Sequence, residues 1–195
     1  SGTNRPGIAR LNQNGSVDLT FDPGSGTDNA IYAMKIQPDD RIMIGGGFSV
    51  YNGIRRNFIA RMNSDGSLDG TFDPGTGFDG TVFALDVQND GKVVVGGSFQ
   101  INNGVGRTNI ARLNPDGSLD TTFDPVLGAD DTVRSILVQP DGRILIGGSF
   151  TNYNGTTVGR VARLNPNGLI DTTFNPGGTG ANDVVFTLTT QSDGN

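Results

Sequence analysis

Four arginines and four aspartates recur in fixed pairs: Arg10 with Asp18, Arg61 with Asp69, Arg112 with Asp120, and Arg163 with Asp171. Such pairs could clamp a substrate, help hold a cation, or serve the scaffold as ion pairs. The text Asn63-x-Asp65-Gly66-x-x-Asp69 recurs as Asn114-x-Asp116-Gly117-x-x-Asp120, with oxygen donors at odd spacings. A calcium ion wants six or more oxygens, usually including a bidentate glutamate further along. That glutamate is missing, and Asn14 and Asn167 stand where Asp65 and Asp116 stand in the inner copies. Tight-turn chemistry accounts for Asp-Gly without metal. The expectation is therefore no cofactor, with calcium as the weaker reading, and four structural ion pairs. Opposite charges facing each other across a strand pair contribute roughly 0.2–1 kcal/mol.

Composition narrows the chemistry further. The 195 residues include neither Cys nor His. Disulfides, thiolate metal sites and Ser-His or Cys-His nucleophile pairs are excluded. The net charge is −6, with 14 basic residues and no basic run, so no nucleic-acid partner is expected. No apolar run reaches the length of a membrane span, so no membrane insertion is expected. Absent Cys beside abundant Gly, Asn, Asp and Thr fits an extracellular setting, as a secreted or surface protein of a bacterium. The opening SGTNRPGIAR reads as mature or trimmed protein.

The pairs sit in a hairpin text that repeats. It reads IARLNQNGSVDLTFDP at 8–23, IARMNSDGSLDGTFDP at 59–74, IARLNPDGSLDTTFDP at 110–125 and VARLNPNGLIDTTFNP at 161–176. Each copy starts 51 residues after the last, and 27 of 51 residues match between 59–109 and 110–160. A fixed period of this kind means a repeat architecture. One unit reads as four strands without a helix: a, TVFALDVQ (81–88); b, KVVVGGSF (92–99); c, NIARLN (109–114); d, SLDTTFDP (118–125). Three-residue loops such as Asn89-Asp90-Gly91 and Ser64-Asp65-Gly66 suit a type I turn closed by a left-handed glycine. Asp40 replaces that glycine once, which predicts a slightly strained turn. The hairpin count sets Asn63 against Ser67, Met62 against Leu68 and Arg61 against Asp69.

Ile59 and Met62 point to opposite faces, so each sheet needs neighbours on both sides. The fold class is all-β: a β-propeller of four-stranded antiparallel blades with a 51-residue repeat, forming one region over 1–195. The glycine pairs 45–46, 96–97 and 147–148 would let blades approach closely. A β-solenoid is the rival architecture. About 3.8 repeats are present (195 over 51), beginning with c and d and stopping after a. The expectation is either part of a larger propeller or one completed by another chain, and a ring or fibre of copies follows from the second case.

The a–b and c–d turns hardly vary between units, whereas the b–c and d–a loops at the other end vary widely. Binding residues concentrate on loops held by rigid frames. Candidate ligand-face residues are Tyr51, Arg55, Arg56, Asn103, Asn152, Tyr153, Asp79, Asp130 and Asp131. Aromatic rings beside amides and carboxylates suit a sugar. No catalytic residue is assigned: the equivalent positions of strand a are Lys35, Asp86 and Leu137, which share no polar character. The steps Asn14-Gly-Ser and Asn154-Gly-Thr match a glycosylation acceptor pattern but read first as turns.

Strand b ending in Gly-Gly, as in DGRILIGGSF (141–150), resembles the second strand of a kelch blade. The d segment carries Phe21, Phe72, Phe123 and Phe174 where kelch blades have Trp. The fuller text, IARLNPDGSLDTTFDP followed by VQPDGRILIGGSF, is similar to the delta-60 repeats of bacterial secreted and surface proteins. That resemblance implies a propeller-like fold outside the cell, and no shared reaction. The functional expectation is a non-catalytic scaffold or interaction module, with a protein partner or self-association. A carbohydrate-binding propeller and a propeller hydrolase or lyase are the alternatives.

Overall fold

The computed structural model describes residues 5–175 and 180–191. Pro176 of the last hairpin and residues 192–195 lie outside the described residues.

Among the described residues there are fifteen strands, and all their pairing is antiparallel. The first repeat supplies β1 (Ile31–Ile36), β2 (Ile42–Gly46), β3 (Val50–Tyr51), β4 (Ile54–Arg55) and β5 (Ile59–Met62). The second supplies β6 (Thr81–Val87), β7 (Val93–Ser98), β8 (Ile101–Asn102), β9 (Val105–Gly106) and β10 (Ile110–Leu113). The third supplies β11 (Val133–Val138), β12 (Ile144–Gly148), β13 (Asn152–Tyr153), β14 (Thr156–Thr157) and β15 (Val161–Leu164). Each repeat thus folds a three-stranded sheet, β1-β2-β5, β6-β7-β10 or β11-β12-β15, and a two-residue-per-strand hairpin in its b–c loop. Strands pair within a repeat and not with their equivalents in the next, which is the opposite of a solenoid coil. The three sheets are not closed into one another by hydrogen-bonded strands.

The segment expected as strand d is not a strand. It meets strand c in a single bridge, Leu11 to Val17, Met62 to Leu68, Leu113 to Leu119 and Leu164 to Ile170. The cause is local. Asp120 Oδ1 accepts hydrogen bonds from the Thr122 N–H at 2.9 Å and the Thr122 hydroxyl at 2.6 Å. The Phe123 N–H then donates to the Asp120 carbonyl at 3.3 Å. Side-chain oxygens so placed turn the backbone away from the ladder, and the proline that follows has no N–H to offer it.

The turns form as the spacing predicts. The Gly91 N–H donates to the Gln88 carbonyl at 2.9 Å, and Gly91 has φ 81°. Asp40, in the glycine position, takes φ 63°. A bulge interrupts each a–b pairing, between Ile31 and Ala33, Val82 and Ala84, and Val133 and Ser135.

The core lies between repeats. Met43, Ile59 and Phe72 of the first repeat pack with Val82, Leu85 and Val93 of the second. Val94, Ile110 and Phe123 of the second pack with Val133, Ile144 and Ile146 of the third. Phe21 of the first hairpin packs with Ile42, Ile44 and Met62. This explains the apolar residues on both faces of one strand: each face belongs to a different interface. Full burial of such a side chain is worth about 1.5–3 kcal/mol. The first glycine of each pair makes room for the neighbour. A Cβ on Gly96 would lie 2.6 Å from Val133 Cγ1, one on Gly147 would lie 2.7 Å from Val185 Cγ1, and Gly45 faces Val82 in the same way.

Candidate functional site

Two groups of residues could carry function, the variable loops and the repeated Arg–Asp pairs. The loops meet where the b–c hairpin of each repeat bridges to the d–a loop before it, Thr27 to Tyr51, Phe78 to Asn102 and Ala129 to Tyr153.

Tyr51 and Tyr153, read as exposed ligand contacts, are buried instead. Each hydroxyl donates across to the turn of its own repeat's c–d hairpin, Tyr51 to the Gly66 carbonyl at 2.5 Å and Tyr153 to the Gly168 carbonyl at 2.6 Å. Burial pushes the Tyr51 phenol up to about 12, helped by the charges of Asp22 and Asp65, and raises Tyr153 further. The ring is the apolar wedge that holds the loop down, and its hydroxyl answers a carbonyl that would otherwise be orphaned. A tyrosine in a glycine-rich loop carries no sequence mark of burial.

The loop carboxylates are exposed but engaged. Asp79 Oδ1 accepts from the Gln100 and Ile101 N–H groups at 2.8 and 2.9 Å. Asp130 Oδ1 accepts from the Thr151 and Asn152 N–H groups at 2.8 and 2.9 Å, and its Oδ2 accepts from Asn152 Nδ2 at 2.8 Å. Asp28 does the same in the first repeat, at Ser49 and Val50. Its place one repeat before Asp79 was the available signal. Asp131 accepts from the Thr132 N–H at 2.6 Å. Asn103, with φ 46°, accepts from the Thr76 N–H and hydroxyl at 3.2 Å. Arg56 is half-buried and donates to the Arg55 carbonyl at 2.9 Å. Arg55 is exposed, with Nε 3.2 Å from Asn57 Oδ1. These hydrogen bonds stay within one repeat, so they do not draw the nine candidates into a shared cluster.

The Arg–Asp pairs form a more connected arrangement. Nε of Arg10, Arg61, Arg112 and Arg163 lies 2.8, 2.6, 2.7 and 2.8 Å from Oδ2 of Asp18, Asp69, Asp120 and Asp171. The Arg61–Asp69 and Arg112–Asp120 pairs are buried. The guanidinium carbons of the four arginines lie 4.9–5.2 Å from the ring centroids of Phe21, Phe72, Phe123 and Phe174. Nη1 then leaves the repeat. Arg10 donates to the Ser64 carbonyl at 2.6 Å, Arg61 to the Pro115 carbonyl at 2.7 Å and Arg112 to the Pro166 carbonyl at 2.6 Å. The same hairpins are tied by backbone bonds, from the Asp22 N–H to the Asp65 carbonyl at 2.6 Å and from the Asp73 N–H to the Asp116 carbonyl at 2.7 Å.

A second cation, unforeseen, meets three of the four carboxylates. Arg41 stands 3.6 Å from Asp69, Lys92 2.9 Å from Asp120 and Arg143 3.7 Å from Asp171. The signal was a basic residue directly after each a–b turn. Burial works to raise the Asp120 carboxyl, but hydrogen bonds from Thr122, Lys92 and Arg112 outweigh it and hold it well below the usual range. The Thr173 hydroxyl is the main influence on Asp171, which is lowered to about 2. Asp65 and Asp116, the calcium candidates, accept from the N–H and hydroxyl of Ser67 and Ser118 at 2.6–2.9 Å, which is turn chemistry. Among the described residues, no group of three or more acidic side chains is placed to hold a metal ion.

The first strands of the three repeats, β1, β6 and β11, hold a further contact between repeats. Lys35 Nζ lies 2.7 Å from Asp86 Oδ1, and Asp86 Oδ2 accepts from the Val138 N–H at 2.8 Å. Tyr32 packs on Phe83 with centroids 5.2 Å apart, and Arg134 lies over both Phe83 and Phe186.

These features define an all-β array of small antiparallel sheets stapled repeat to repeat. Residues 1–21, 37–72, 88–123 and 139–174 match the family described as domain of unknown function (DUF5122) beta-propeller, and the chain belongs to that family. Among solved structures, a protein of unknown function from Bacteroides caccae is similar at 12% identity with a TM-score of 0.34, over 88% of this chain and 77% of its own. No curated protein matches.

Proposed function

We propose that the chain is a non-catalytic scaffold or interaction module of a secreted or surface protein, each 51-residue unit acting as one blade. The finer kinship with delta-60 repeats belongs to the same proposal. The observation that carries it is where the recurring polar groups go. Arginine, aspartate and threonine of each hairpin are committed to one another, the arginines of the first three hairpins also to the next repeat's carbonyl, and the loop carboxylates are committed to backbone N–H groups. A glycan screen and a glycosidase and lyase substrate panel test it. The expected result is neither binding nor turnover; reproducible turnover, lost on substitution of an acidic residue, would overturn it.

A sugar-binding reading keeps one specific support. With Tyr51 and Tyr153 buried, the exposed aromatic rings among the described residues are Tyr32 on β1 and Phe186 near the C-terminal end. If a glycan binds, Tyr32→Ala abolishes the binding, while Arg55→Ala on the loop face leaves it intact.

A further inference from the structure

We infer that the b–c hairpin of the second repeat, residues 100–107, is a flap that lifts from the array while the sheets beneath it stay folded. The inference goes beyond the scaffold reading and does not depend on it.

Three equivalent hairpins allow the comparison, and this is the middle one. In the first and third repeats two side-chain clamps hold the hairpin down. The Tyr51 and Tyr153 hydroxyls donate to the Gly66 and Gly168 carbonyls at 2.5 and 2.6 Å. The Ser49 and Thr151 hydroxyls donate to Oδ2 of Asp28 and Asp130 at 2.6 and 3.0 Å. The second repeat carries neither group, because Asn102 stands at the tyrosine position and Gln100 at the hydroxyl position.

Closure of this hairpin also has an opposing term that the others lack. Asn102 is 1% exposed, and its Oδ1 and Nδ2 are both buried without a hydrogen-bond partner. A polar group that gives up water and finds no partner works against the closed state. Opening returns both atoms to water. The ring volume is supplied from the opposite side by Phe78, which packs on Phe99 with centroids 4.3 Å apart. Opening therefore uncovers an aromatic pair with an amide beside it.

The remaining bonds confine the motion to the hairpin. At its foot the buried Asn109 donates its N–H to the Phe99 carbonyl at 2.8 Å and its Nδ2 to the Ala129 carbonyl at 2.9 Å. Its two strands pair with each other, Ile101 with Gly106 and Asn102 with Val105, so they travel together. At the tip, the Asn103 N–H donates to the Gly77 carbonyl at 2.8 Å, and Asp79 holds the Gln100 and Ile101 N–H groups. Asn103, Gln100 and Asp79 are exposed, and water can take their place. Segments at the low-stability end of a fold are the ones that serve as lids.

The test is native-state hydrogen exchange at matched amides. The N–H groups of Asn52, Asn103 and Asn154 donate to the Gly26, Gly77 and Gly128 carbonyls at 2.7, 2.8 and 2.8 Å. Asn103 is expected to be less protected than the other two by about tenfold or more. The Gly97 N–H, bonded to the Asn109 carbonyl at 3.1 Å, is expected to stay at the slow rate of the sheets. Phe78→Ala/Gln100→Thr/Asn102→Tyr transplants the clamps of the third repeat and should bring Asn103 level with Asn154. The reverse variant, Ala129→Phe/Thr151→Gln/Tyr153→Asn, should release Asn154 and leave Asn52 unchanged. Equal protection of the three amides in the wild type overturns the inference. So does Asn103 exchanging in step with Gly97, since the whole repeat would then be opening. A folded transplant whose Asn103 stays fast overturns it as well. If the transplant does not fold, the reverse variant decides, and an unchanged Asn154 there overturns it. None of these outcomes touches the scaffold reading, whose test is the glycan and substrate panel.

Discussion

Arg112 shows what one repeated side chain accomplishes. It lies 2.7 Å from Asp120, 2.6 Å from the Pro166 carbonyl of the next repeat, and over the Phe123 ring. Removing one partner of a buried pair leaves an uncompensated charge and costs roughly 3–5 kcal/mol. Asp120→Asn is expected to lose about that much in urea unfolding, because Arg112 and Lys92 both lose their counter-charge. Asp18→Asn should lose distinctly less, since Arg10 is 40% exposed. Equal losses would mean that the pairs owe nothing to burial. A second residue-scale case is the swap at Phe78 and Asn102. The other repeats bridge a small residue to tyrosine, Thr27 to Tyr51 and Ala129 to Tyr153; this one bridges a large ring to asparagine. Phe78 packs on Phe99 at 4.3 Å between centroids, while both polar atoms of buried Asn102 lack a partner. Phe78→Ala alone is expected to cost about 3–5 kcal/mol through the cavity it leaves. Adding Asn102→Tyr should restore most of that by supplying the ring and the bond to the Gly117 carbonyl. A double variant no better than the single would show that the two positions are not coupled.

The element that governs stacking is strand b, and its glycines set the distance between sheets. Gly96→Ala would put its new carbon 2.6 Å from Val133 Cγ1 and 2.9 Å from Ile136 Cδ1, in a strand with no room to slide. Overpacking of this kind costs about 1–3 kcal/mol. Val133→Ala, added to it, should return part of the loss. Gly70→Ala meets nothing within 4 Å and is the matched control, expected within about 0.5 kcal/mol of wild type. The missing fourth strand has the opposite lesson. Apolar residues, threonines and a following turn signal all favour a strand at 118–125. The Asp120 carboxylate bonds its own downstream N–H at Thr122, and that local bond wins over a ladder.

Over the whole molecule, the titrating groups act in two windows. The carboxyls of Asp69, Asp120 and Asp171 are lowered in the folded state, so their contribution is complete above the unfolded value near 3.9 and is lost as pH falls toward their folded values. The phenols of Tyr51 and Tyr153 are raised, so theirs is complete below about 10 and is lost as pH climbs through 12. The melting temperature should be flat between about pH 5 and 9, then fall on both sides. In Asp120→Asn the acid decline should be shallower, because the strongest of the lowered carboxyls is gone. A melting curve as steep in acid as wild type would remove Asp120 from that role.

The repeat, the strands a, b and c, the turns, the hairpin register and the facing of Arg against Asp were all legible in the sequence. All of these are local, set by a two-residue side-chain period and three-residue turns; duplication printed the hairpin text four times and the full set of strands three times. The sequence also marked the strand-b glycines as places of close approach. Contacts between residues distant in the sequence were not legible. Whether Tyr51 faces solvent depends on the carbonyl of Gly66, fifteen residues away. Whether Arg61 serves its own hairpin or the next depends on Pro115, fifty-four residues away. Repetition writes identical text at every unit, and the environment that gives each copy its role comes from the stacking of one sheet on another.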